Sequence, residues 1–191
     1  MSKSDASSSK KERNKTIRWV ITIFVVTILI SGTFSFASNE LMASSSVGIA
    51  FVVLFVIVLI GIIFDIIGVA VTSADEKPFH SMAARKVPGA QEAISLLRNA
   101  ERVSSICNDV IGDICGVVSG SASASIAAQI LVDFSGDTSQ IIKLAMSALV
   151  AGLTVGGKAI GKTFAIGSCT KIVHMVGRTI YALHPRKKKN K

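Results

Sequence analysis

The chain has 191 residues, half of them hydrophobic, and sets 12 acids against 21 Lys and Arg for a formal net charge of +9. Such a length allows one compact domain, and a mean hydropathy of +0.57 gathered into long runs argues against a soluble domain and for a membrane protein. A basic chain also suits nucleic acid, but the bases flank the apolar runs and there is one Trp and one Tyr, so no nucleic-acid partner is expected.

Residues 1–15, MSKSDASSSKKERNK, are polar and basic, the composition of a disordered tail. Ile17 to Phe36 is the first apolar run, with Trp19 as an interfacial anchor. Its length exceeds the 7–15 residues or so of a signal-peptide core, which favours an uncleaved span. A polar connection, 38–46, leads to the most apolar run, Val47 to Thr72, interrupted only by Asp65.

Residues 73–102 are polar and of mixed charge, with Pro78, Pro88 and Gly89 as breakers. Within them Ala93, Ile94, Leu97 and Ala100 recur at helical spacing, which predicts an amphipathic juxtamembrane helix. Val103 to Leu131 is a third span with a polar heart: Asn108, Asp109 and Asp113, then the small residues Ser119 to Ser125. Beyond a loop of 132–140 comes a fourth span, Ile141 to Phe164, carrying Gly152 and Gly156, then Gly157 and Gly161, two spacings that let helices pack closely in lipid. Residues 165–191 predict an amphipathic surface helix, with Lys171, His174 and Arg178 on one face, and a basic tail suited to anionic lipid.

The bases set the expected orientation. Six precede Trp19, five lie in 73–102 and seven follow Phe164, while the two opposite connections hold none. Eighteen of 21 on one side predicts four spans with both termini cytoplasmic in the cell membrane.

Charges inside such spans mark functional sites. At about 1.5 Å per residue, Asp65, Asp109, Asp113 and Lys158 all fall in the inner half of the bilayer. One reading makes Asp65, Asn108, Asp109 and Asp113 hard-oxygen ligands for Mg²⁺, a cation that prefers carboxylate, amide and water oxygens. Ser73 and Ser105 are additional ligands in that reading, and Lys158 is a counter-charge or gate. The other makes Lys158 the cation itself, locking the helices together. Lys143 and Lys162, near span ends, are expected to snorkel. Cys107, Cys115 and Cys169 form no C-x-x-C pair and read as reduced core residues. Neither a G-x-S-x-G, nor a phosphate-binding loop, nor an H-E-x-x-H occurs, so no enzyme is expected.

From Phe64 to about Ala165 the chain resembles the membrane domain of the CorB/CorC and cyclin M family of magnesium and cobalt transport proteins. The resemblance rests on Phe64-Asp65-Ile66-Ile67-Gly68-Val69-Ala70, on Ala93-Ile94-Ser95-Leu96-Leu97-Arg98-Asn99-Ala100-Glu101-Arg102, on Ile111-Gly112-Asp113 and on Gly157-Lys158-Ala159-Ile160-Gly161-Lys162. It implies an all-α integral membrane bundle, a homodimer, and Mg²⁺ or Co²⁺ bound by polar and acidic side chains in mid-bundle. Asp65 stands where the family pattern has Ser, and Gly68 and Lys158 where it has Glu. The first span and the lack of the family's cytoplasmic domains are further departures.

Overall fold

The computed structural model describes residues 3–43, 46–130 and 137–183, and their regular structure is entirely helical. Four helices are long and apolar enough to cross a membrane, over Ile17–Ser38, Val47–Ser73, Ala100–Ile130 and Gln140–Gly167. The protein is an all-α, multi-pass membrane protein. Residues 131–136 and the basic tail from residue 184 lie outside the described residues.

Helix α1, Lys3–Ala43, extends the first span at both ends. Residues 3–15, expected as a disordered tail, continue the helix backward. Once a turn is nucleated in the apolar run, each further residue adds a hydrogen bond, and Lys, Glu, Arg and Ala lose little in a helix. The expected 38–46 connection shortens for the same reason. Trp19, Ile23, Thr27, Ser31 and Ser35 are partly covered and Ser38 is buried, a near-four-residue period that gives α1 one narrow seam, packed mainly on α6 (defined below).

Helix α2, Val47–Ser73, is the hub. Two short helices follow, α3 (Lys77–Ala84), with a Pro in its first turn, and α4 (Ala90–Arg98). The third span is composite: α5 (Ala100–Ser105), a π-helical stretch Ile106–Gly112, and α6 (Asp113–Ile130). The predicted helix of 90–102 is broken at Asn99, so the third span begins at Ala100. Helix α7, Asp137–Gly167, and α8, Cys169–Leu183, complete the order.

Close contacts give the register. A Cβ on Gly61 would lie 2.8 Å from Cys115 Cβ, and one on Gly68 would fall on the Asn108 amide. Rising numbers on α2 thus meet falling numbers on the third span, and the two run antiparallel. Gly157 and Gly161 lie against Ile62 and Ile66, so α7 runs parallel to α2. The second glycine pair of α7 therefore carries the close approach. The first does not: a Cβ on Gly152 or Gly156 would meet no atom of another element within 4 Å among the described residues.

Apolar clusters fill the bundle on either side of Asp65. Ala50, Leu54, Ala122, Ile126 and Val150 form one; Ala70, Val71, Phe79, Ala93, Ala165 and Val173 form the other. The second includes α8, whose buried Val173 and Gly177 face protein. Helix α8 is therefore docked on α4 and α2, where its amphipathic pattern alone predicted a helix resting on lipid. Gly89 (φ 85°) begins α4 in the left-handed region, and its carbonyl oxygen lies 2.5 Å from where a Gly177 Cβ would be. That crossing admits no side chain.

Candidate functional site

The buried centre of the bundle is charged. Asp65 is 3% exposed two-thirds of the way along α2, in a helix whose remaining residues are apolar or small but for Thr72 and the terminal Ser73. Lys158 reaches it from α7, its Nζ 3.7 Å from Asp65 Oδ1, with the two side chains 19% and 5% exposed. The same ammonium donates a 3.2 Å hydrogen bond to the Gly112 carbonyl. Gly112 ends the π-helical stretch, where hydrogen bonds reach five residues rather than four and the ladder changes over. Three helices thus meet on one ammonium: a carboxylate from α2, a backbone carbonyl from the third span, and the lysine of α7.

Glycines make the meeting feasible. A Cβ at Gly112 would lie 2.9 Å from Asp65 Oδ1 and 3.3 Å from Lys158 Nζ. One turn away, Asn108 packs on Gly68, its Nδ2 donating to Ser104 Oγ at 3.1 Å while its buried Oδ1 accepts no hydrogen bond among the described residues. Gly61, Asp65 and Gly68 share one face of α2, a spacing from which the seam could have been read in the sequence.

The remaining predicted ligands go elsewhere. Asp109 and Asp113 do share a face, but it is the exposed one, turned from α2. Asp109 Oδ2 accepts a 2.6 Å bond from Ser105 Oγ, while Asp113 has no ion pair or hydrogen-bonded side chain among the described residues. Ser73 is exposed at the end of α2. Among the described residues no group of three His, Cys, Asp or Glu could hold a metal ion. Of the predicted set, the fold brings Asp65, Asn108 and Lys158 to one seam and leaves Asp109, Asp113, Ser73 and Ser105 off it. The reason is a matter of phase: residues 108 and 112 take the face toward α2, so 109 and 113, one position on, cannot.

No family model, curated protein or solved structure matches the chain. The likeness to the CorB/CorC and cyclin M family rests on the quoted motifs alone.

Chemically, the centre holds a cation already. Lys158 balances Asp65, and each is held away from lipid by the other. Cys107 and Cys115 are buried beside this region and are free thiols; their small side chains fit the tight α2 crossing, as Cys115 does at Gly61.

Proposed function

We propose that the chain is a cell-membrane protein, with cytoplasmic termini and no enzymatic activity, whose Asp65–Lys158 pair locks the packing of its helices. It serves as a non-transporting structural or partner subunit. The observation that carries this reading is the Lys158 ammonium between the Asp65 carboxylate and the Gly112 carbonyl, where a bound cation would otherwise sit. The flanking bases support the orientation, and the exposed Lys171 and Arg178 of α8, with the basic tail, suit anionic lipid.

A double-mutant cycle on the purified protein tests the lock. Removing one member of a buried pair leaves an uncompensated charge and costs about 3–5 kcal/mol. Asp65→Asn and Lys158→Met are each expected to destabilise by about that much, and the double variant by clearly less than their sum. Additive losses would rule the lock out.

One observation favours a second reading, divalent-cation (Mg²⁺ or Co²⁺) transport or binding. The buried Asn108 Oδ1, unpaired one turn from Asp65, is a hard oxygen suited to Mg²⁺, with Lys158 as gate. Mg²⁺ flux into liposomes, lost in Asp65→Asn, together with a melting temperature raised by Mg²⁺, would establish this reading over the lock.

A further inference from the structure

The first span is the least covered of the four. Helix α1 meets the bundle along one narrow seam, mainly on the third span, and Val20, Ile21 and Phe24 around it are exposed. At the end where the first and third spans both begin, one contact joins them: the Arg102 guanidinium lies over the Trp19 ring, 5.3 Å from its centroid.

The packing explains that position. Ile23, one turn after Trp19, sits on the cluster of Val110 and Ile114, so the two spans run parallel with Trp19 and Arg102 at the membrane edge, where indole rings settle. Stacking uses the flat face of the guanidinium and leaves its N–H edge free to donate. Arg102 is exposed, as is Arg18 beside Trp19, and among the described residues no ion pair joins either to an acid. The helix break at Asn99 opens a cleft of about 430 Å³ beside them, lined by Arg98, Glu101 and Arg102 among others. Arg98 is already held by Glu76, Nε to Oε1 at 2.9 Å. Arg18 and Arg102 against Glu101 leave the junction one positive charge in excess.

We propose that the junction of α1 and α5 binds the phosphate of an anionic phospholipid, with Arg102 as its bidentate donor and Arg18 as the second cation. A guanidinium already oriented by a ring loses little freedom on gripping a phosphate. One turn deeper, the exposed Ile106 offers apolar surface to an acyl chain. A zwitterionic headgroup brings its own cation toward two arginines and is the poorer ligand. Held by side chains of two helices, the bound phosphate staples the first span to the third. The bases of α8 and the tail attract lipid without such a fixed partner. This inference rests on α1 spanning the membrane but not on the Asp65–Lys158 lock.

Trp19 is the chain's one tryptophan, so its fluorescence reports on the site directly. The test reconstitutes the full-length protein in phosphatidylcholine nanodiscs holding a small fraction of lipid brominated near the headgroup end of its acyl chains. Brominated phosphatidylglycerol is expected to quench Trp19 with about tenfold preference over brominated phosphatidylcholine, the worth of one charge-assisted hydrogen bond. Arg102→Gln is expected to abolish that preference, and Arg102→Lys to keep only part of it. Arg18→Gln, which leaves the stack on Trp19 in place, is expected to reduce it, and Lys171→Gln/Arg178→Gln to leave it whole. Phosphatidylglycerol is also expected to raise the melting temperature of the wild type but not of Arg102→Gln. Equal quenching by the two lipids overturns the proposal, as does a preference that survives Arg102→Gln. A preference lost in the α8 variant overturns it in favour of diffuse attraction. The same rise in melting from inorganic phosphate in pure phosphatidylcholine discs overturns the lipid as the source of the phosphate. Quenching by neither lipid would remove α1 from the membrane and the proposal with it, whereas failure of the lock appears only in the Asp65 and Lys158 variants.

Discussion

At the scale of single residues, the sequence shows which groups are costly in the membrane but not which are satisfied. Asp65 and Lys158 stand out as charges in apolar runs, and depth alone puts them together. Their third member, the Gly112 carbonyl, carries no mark in the sequence, because it is presented by a change in helix winding. The glycines give sharp tests. Gly68→Ala would put a Cβ on the Asn108 amide, and Gly112→Ala would place one between Asp65 and Lys158. Each is expected to cost about 1–3 kcal/mol through overpacking, read as a lower unfolding midpoint. Pairing Gly68→Ala with Asn108→Ala, which removes the crowded amide, is expected to recover part of the Gly68 loss.

At the scale of elements, the four spans were legible because each is a long apolar run, and their observed limits fall within a few residues of the expected ones. Which face each presents was legible only in part. The two glycine pairs of α7 are indistinguishable in sequence, yet Gly157 and Gly161 pack on α2 while Gly152 and Gly156 face outward. Gly157→Leu and Gly161→Leu are therefore expected to destabilise the single chain, whereas Gly152→Leu and Gly156→Leu leave its melting unchanged; thermal unfolding in detergent separates the two pairs. The outward face of Asp109 and Asp113 was not legible for a related reason. Hydropathy does not say which side of a uniformly small helix meets its neighbour. Helix α8 shows the opposite case, an amphipathic pattern whose apolar side found protein before lipid.

At the scale of the whole molecule, the charge distribution and the helix order agree on a bundle with α3, α4 and α8 gathered at one end. A fluorescent protein fused after Lys191 is expected to mature in the cytoplasm, and a periplasm-active phosphatase inserted between α6 and α7 to be active. Exchange of those outcomes would invert the orientation. Along the third span the same helix must meet two sets of fixed points: Asn108 on Gly68 toward one end, and Ser123, 3.5 Å from Ser147, toward the other. The π-helical stretch acts between them as a vernier, one residue of slack that lets both ends mesh. Deleting a single residue from 106–112 would take up that slack as regular α-helix, leaving both ends in phase while removing the wide turn that presents the Gly112 carbonyl to Lys158.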